Sequence, residues 1–276
     1  MTSAPPVCFR HPDRVTRLSC SECGRSICAE CSLDAAVGQR CPVCASPEKR
    51  TRVVTTRSIA HADLRTTPIT LILIGINVAI FLLGSILPDF DHTEMRIRYA
   101  QWLPAIEAGE WWRGFTAMFL HGSVYHLLFN MWALWLFGPA LERRFGSIPF
   151  IGLYVAAGLS GSALFHGLGS IALAVGASGA IFGLFGAMLL NSYRQRHTRV
   201  GQAIFNQLVL LLGINLLLPF IVPRIAWEAH IGGLIAGAAI AYAWERIPRR
   251  GPGVVARLTL VAVAVAAAAL GVLLFL

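Results

Sequence analysis

The sequence predicts an all-α polytopic membrane protein. It is expected to have a six-helix core, a seventh transmembrane helix at the C-terminus and a small metal-binding domain at the N-terminus. Three observations predict it. Of 276 residues, 56% are hydrophobic and 13% charged, and mean hydropathy is +0.64. A soluble domain carries roughly 25% charge, so this chain cannot coat a water-facing surface; a wholly soluble globule, a disordered tail and a fibrous repeat are excluded. From residue 69 onward, apolar runs long enough to cross a bilayer follow one another. All seven cysteines lie between Cys8 and Cys44.

The cysteines pair by spacing: Cys8 with His11, Cys20 with Cys23, Cys28 with Cys31, Cys41 with Cys44. Each pair is separated by two residues, which lets both side chains point at one metal. Four pairs supply the eight ligands of two tetrahedral Zn2+. The metal-free alternative, three disulfides and a spare thiol, requires an oxidising compartment. The N-terminus has polar and proline residues where a signal peptide has its apolar stretch. With every ligand consumed, no coordination position is left for water, so both zincs are structural and none serves catalysis. The module either meets a protein partner or only stabilises itself. Arg10, Arg14, Arg17, Arg25 and Arg40 suit an anionic membrane surface better than nucleic acid, which is not an expected partner. The module occupies 1–46, and residues 47–67 read as a basic linker.

Transmembrane spans are expected at about 69–87, 115–138, 149–168, 178–193, 202–222, 227–245 and 254–276. The first six form a core over 68–246, and 247–276 carries the seventh. Small residues in the third and fourth suit close helix packing. With the N-terminus inside, nineteen of the 23 Lys and Arg residues fall on the inner side and only Arg96, Arg98, Arg113 and Arg224 on the outer. The module is therefore expected in the cytoplasm and the C-terminus outside.

Polar groups inside spans are costly and point to function. His121, His126 and Asn130 sit in the second expected span; His126 and Asn130, four apart, share a helix face. Gly176, Ser178 and Gly179 open the fourth, where Ser178 reads either as a helix cap or as a nucleophile beside backbone donors. His230, Gly233 and Gly237 form one stripe of the sixth, able to approach the Gly179, Gly183 and Gly186 face of the fourth. All three clusters fall at one depth near the outer end. Serine, histidine and donor side chains at one level are the parts of an acyl-transfer site. No acidic residue is expected at the depth of His230, which predicts a dyad rather than a triad. Phe182, one turn after Ser178, reads as support for the imidazole ring or as ordinary core.

At these residues the chain resembles the rhomboid intramembrane serine proteases over about 68–246. The resemblance rests on His121, His126 and Asn130; on Gly176, Ser178 and Gly179; on Ala229, His230, Gly233 and Gly237; on Trp112-Arg113 in the first outer loop; and on Glu142 and Arg144 after the second span. It implies that Ser178 is the nucleophile and His230 the base. It implies that His126, Asn130 and the Ser178 backbone N–H form the oxyanion hole, and that transmembrane protein substrates in the lipid bilayer are cut near the outer face. The family's usual tyrosine is here Phe182. The seventh span is similar to a six-plus-one arrangement within that family, and a bacterial plasma membrane is the expected location. The N-terminal module resembles a B-box-like zinc domain. That resemblance implies that Cys8, His11, Cys28 and Cys31 hold one zinc and Cys20, Cys23, Cys41 and Cys44 the other.

Two other readings compete. A non-catalytic rhomboid-like protein that binds transmembrane helices would lack a nucleophile, and Ser178 is present. A metalloprotease or transporter using the histidines would need ligand spacing, and His121 and His126 are five apart with no HExxH.

Overall fold

The computed structural model describes residues 5–35, 38–45, 67–87, 91–169, 171, 173–247 and 252–274. The chain divides into two compact units, Met1–His61 and Ala62–Leu276. Apart from Thr67, the expected linker lies outside the described residues.

The N-terminal unit has little regular structure. A 3-10 turn spans Ala29–Cys31, and β1 (Leu33–Asp34) pairs antiparallel with β2 (Gln39–Arg40), Leu33 opposite Arg40. Its buried centre is Ile27 and six cysteines, with Phe9 packed against them. So small an apolar core cannot hold a fold of this size without staples.

The second unit begins with α1 (Pro68–Ile86), which starts on a proline, a residue suited to the first helical turn. A loop follows that carries α2 (His92–Tyr99), β3 (Gln101–Trp102), α3 (Leu103–Glu107), α4 (Arg113–Thr116) and a 3-10 turn at Ala117–Phe119. Then come α5 (Val124–Phe145), α6 (Ser147–Leu168), β4 (Leu173–Ala174), α7 (Ser178–Arg194), α8 (Arg199–Leu217), α9 (Trp227–Trp244) and α10 (Pro252–Leu274).

The second span departs most from expectation. Residues 115–119 belong to two short loop helices, and α5 starts at Val124, where the Ser123 side chain caps the His126 N–H at 3.2 Å. His121 therefore precedes the helix. At the other end, α5 continues through Glu142, Arg143 and Arg144 to Gly146, whose φ of +88° stops it. Charge at Glu142 reads as a helix exit in the sequence. In the fold Glu142 is buried and accepts from Ile69 N (3.0 Å), Thr70 N (2.8 Å), Thr70 Oγ1 (2.7 Å) and Ser147 Oγ (2.7 Å). These donors, three of them at the start of α1, make a carboxylate tolerable there.

Among the described residues, five helical segments are long and apolar enough to cross a membrane: Pro68–Ile86, Val124–Phe145, Ser147–Leu168, Arg199–Phe220 and Gly253–Val272. The two remaining expected spans are α7, of 17 residues, and α9, of 18 residues with Glu228 and His230 near its start. α7 is largely buried, from Gly179 through Ala187, whereas α9 buries one side (Gly233, Gly237, Ala241, Trp244) and exposes Ile235 and Tyr242 on another. The contact of α9 with α7 is the most extensive in the unit, followed by that of α9 with α6. Glycine makes it possible: a Cβ on Gly233 would run into the Gly179 carbonyl, one on Gly237 into the Gly183 carbonyl and one on Gly186 into the Leu234 carbonyl. By contrast α8 buries only Gly201 and Leu208.

Candidate active site

Ser178 is the first residue of α7. The cap position before it is Ala177, which offers no side-chain cap, so the Ser178 hydroxyl is not spent on its own helix end. Instead Ser178 Oγ lies 2.9 Å from His230 Nε2. His230 stands in the first turn of α9, and the close α7–α9 packing at Gly179 and Gly233 sets it beside the serine. Its ring lies flat on Phe182, with centroids 4.1 Å apart and planes 7° apart. Phe182 is also a core residue, meeting Phe185 edge-on at 6.1 Å. Phe182 thus touches both the His230 ring and the core.

No described hydrogen bond joins a carboxylate to His230. An acidic residue does lie at its level, contrary to expectation: Glu228, fully buried in the same turn of α9. Two positions away on a helix, it leaves the axis on a face far from that of His230.

The third cluster arrives from α5. Asn130 is buried and gives one of its two amide N–H donors to the His126 carbonyl at 2.9 Å. His126 faces the loop before Ser178: a Cβ on Gly176 would sit 2.7 Å from His126 Cε1. Gly176 has φ +129°, a conformation that an L side chain rarely adopts. Its N–H donates to the Ala117 carbonyl at 2.9 Å. His121 is buried and packs edge-on against His126 with centroids 5.0 Å apart. A cavity of about 30 Å³ touches Ser178, Gly176, Gly179, Ser162 and Gln101. That is room for water, not for a peptide.

Several supporting residues carried little or no sequence signal. β3 pairs with β4, Gln101 opposite Ala174, tying the outer loop to the segment that leads into Ser178. Gln101 Nε2 donates to the Ser162 carbonyl at 2.8 Å. Arg113, noted beside Trp112, is buried; it pairs with Glu110 at 2.6 Å and donates to the Ile97 (2.8 Å) and Ala100 (3.2 Å) carbonyls. These bonds shape the loop around the site.

In the N-terminal unit, the ligand atoms of Cys8, His11, Cys28 and Cys31 lie within 4.8 Å of one another, as do those of Cys20, Cys23, Cys41 and Cys44. His11 Nδ1 is 3.4 Å from Cys28 Sγ and 3.5 Å from Cys31 Sγ. The donor set fits a divalent cation. Backbone N–H groups of Cys41 and Cys23 hold the Cys20 thiol down at about 6. Burial, with Cys28 and Cys8 beside it, pushes Cys31 up to about 11. Thiolates crowded this closely repel one another, and a cation between them removes that cost.

A bundle of apolar helices, five of the described ones long enough to cross a membrane, with a part-buried serine–histidine pair beside a small recess, defines the class of membrane-embedded helical proteins. The family described as Rhomboid domain matches residues 108–246. Rhomboid protease GluP of Bacillus subtilis (strain 168) is 36% identical over 199 residues, 71% of this chain and 39% of GluP. The putative rhomboid protease YdcA of the same organism is 33% identical over 185 residues, 65% of this chain and 89% of YdcA. RHOMBOID-like protein 5 of Arabidopsis thaliana is 37% identical over 155 residues, 53% of this chain and 48% of that protein. The chain belongs to the rhomboid family and is an integral membrane protein. It spans less than half the length of GluP and of the plant relative.

Proposed function

We propose that the chain is an intramembrane serine endopeptidase that cuts transmembrane substrates near the outer face with a Ser178–His230 dyad. The 2.9 Å approach of Ser178 Oγ to His230 Nε2 carries this reading. His230 takes the hydroxyl proton as Oγ attacks the scissile carbonyl. The negative charge that develops on the carbonyl oxygen is met by the Ser178 backbone N–H, by Asn130 and by His126. Collapse expels the amine, which takes the proton from His230 and leaves an acyl-serine. Water, deprotonated by the same histidine, then attacks the acyl carbon and frees the serine. The stack on Phe182 holds the imidazole in plane in place of a carboxylate. The recess is too small for a peptide, so substrate entry requires helices to part.

The membrane arrangement belongs to the same proposal. Seven helices span, α7 and α9 among them, with the N-terminus cytoplasmic and a bacterial plasma membrane as the setting. The core covers 68–246 and the extra helix 247–276. Residues 1–46 form a B-box-like module in which Cys8, His11, Cys28 and Cys31 hold one structural zinc and Cys20, Cys23, Cys41 and Cys44 the other. Zinc bound there cross-links the loops that carry its ligands.

The test is cleavage of a labelled generic transmembrane substrate by purified protein in detergent, wild type beside Ser178→Ala. Cleavage by wild type alone is expected. Equal cleavage by both would remove Ser178 from the mechanism. Folded wild-type protein that cuts nothing would favour a non-catalytic binder of transmembrane helices.

A further inference from the structure

At the end of the bundle opposite the dyad, a cavity of about 460 Å³ opens between four helices. It is separate from the proposed active site. α7 runs from Ser178 to Arg194, and at 1.5 Å per residue this places the cavity roughly 24 Å from the serine, at the headgroup level on the other side. Its volume is within the range of small-ligand sites, roughly 300–1,000 Å³.

Its lining is cationic. Arg144 comes from the end of α5, Arg194 from the end of α7 and Arg257 from the first turns of α10. Among the described residues, Glu245, just past α9, is the acidic member of the lining. It pairs with Arg144 at 3.0 Å and also with Arg194. Three guanidinium groups and one carboxylate thus stand among the described groups that wall the cavity. Arg257 is buried, donating to the Trp244 (3.0 Å) and Ile247 (2.9 Å) carbonyls. Asn191 adds an amide to the wall and Phe145 an apolar side. The C-terminal ends of α5, α7 and α9 attract cations to this level, which explains arginines there. They do not explain an open volume walled by three of them.

We propose that this cavity binds a phosphate-type anion. Guanidinium groups are suited to phosphate oxygens through paired N–H donors, and basic pockets between transmembrane helices at the headgroup level suit lipid phosphates. The phosphate comes from the headgroup of an anionic phospholipid or from a soluble phosphate. Because Arg257 belongs to α10, occupancy clamps the extra helix to the core.

The test uses the full chain in an uncharged detergent, at constant ionic strength set with chloride. Thermal unfolding is followed with dihexanoyl phosphatidylglycerol, dihexanoyl phosphatidylcholine or inorganic phosphate as probe. Phosphatidylglycerol is expected to raise Tm by about 3 °C or more. Phosphatidylcholine, whose choline cation meets the arginines, is expected to do much less. A shift with phosphatidylglycerol alone assigns the lipid source, and an equal shift with inorganic phosphate assigns the soluble one. Arg194→Gln should abolish the shift, whereas Arg246→Gln, outside the lining, should keep it. No shift with either anion, or an unchanged shift in Arg194→Gln, overturns the proposal. Should Arg194→Gln fail to fold, native mass spectrometry of wild type decides: no preferential retention of phosphatidylglycerol or phosphate overturns it equally.

Discussion

Gly233 of α9 rests against the backbone of Gly179 in α7, so closely that a Cβ on Gly233 would run into the Gly179 carbonyl oxygen. Gly179 follows Ser178, and Gly233 lies three residues after His230, on the same helix stripe. The contact that joins the two helices also sets the distance between Ser178 and His230, the proposed nucleophile and base. Gly233→Val is therefore expected to cost about 1–3 kcal/mol of stability through overpacking. It should lower kcat by about 10²-fold or more at temperatures where the protein remains folded, since small displacements of reacting groups are costly. Thermal unfolding and cleavage rate measured side by side check this; full activity in a folded Gly233→Val protein would refute it.

Ser178 and His230 act as one unit in the proposed mechanism, because neither the attack nor the proton transfer proceeds without the other. Ser178→Ala and His230→Ala should each lower kcat/KM by about 10⁴-fold or more, and the double variant should be no worse than either single one. Independent, multiplying losses would show that the two side chains serve separate steps. Tm should change little, since neither change opens a large cavity.

Phe182 lies flat on the His230 ring, whereas Phe185 stacks on Phe137, with centroids 5.2 Å apart, away from the histidine. The pair separates support from packing. Phe182→Leu and Phe185→Leu should lower Tm comparably, because both remove a buried ring. Only Phe182→Leu should lower kcat, by up to about tenfold if the ring contact is worth 0.5–1.5 kcal/mol. Phe182→Tyr keeps the ring and should restore the rate. An equal drop in kcat for both leucine variants would assign Phe182 to packing alone.

Glu142 takes four hydrogen bonds in a buried position. Removing its carboxylate leaves two backbone donors of α1 and two hydroxyls short of a partner. Glu142→Ala is expected to destabilise by about 1–3 kcal/mol, with activity at low temperature retained. Glu142→Gln keeps one acceptor oxygen and should fall between alanine and wild type. A Tm unchanged by Glu142→Ala would mean that water replaces the carboxylate at no cost.

Glu142 also shows where the sequence stops being informative. Its main partners are Ile69 and Thr70, more than 70 residues away, so local charge alone ends the helix too early. The approach of His126, Asn130, Ser178 and His230 was foreshadowed because each stands out as a polar group at a set spacing within or at the head of an apolar helix. The glycine stripes were readable too, since small residues three and four apart face one side. The support around the site was not: the Gln101–Ala174 pairing and the bonds of Arg113 to the Ile97 and Ala100 carbonyls join segments without periodic signal. The basic cavity was equally hidden, because Arg144, Arg194 and Arg257 lie on three helices far apart in sequence and come together only in the folded bundle.

The N-terminal clusters yield a prediction in stoichiometry. Cys8, His11, Cys28 and Cys31 form one closed set and Cys20, Cys23, Cys41 and Cys44 the other, with no residue shared. Purified protein should therefore carry about two zinc ions per chain by elemental analysis. Cys8→Ser and Cys41→Ser should each remove about one, and the double variant about two. The sets interleave along the chain, so loss of one ion leaves loops that the other still fastens; single variants should stay partly folded and the double variant should not. Because the ligands are consumed within the module, cleavage of a generic transmembrane substrate by the double variant should stay near wild type. Protein free of zinc whose intact mass is lower by the hydrogens of three disulfides would show that oxidation, not metal, fastens these loops. A single substitution that empties both sites would show that the two sets fold as one.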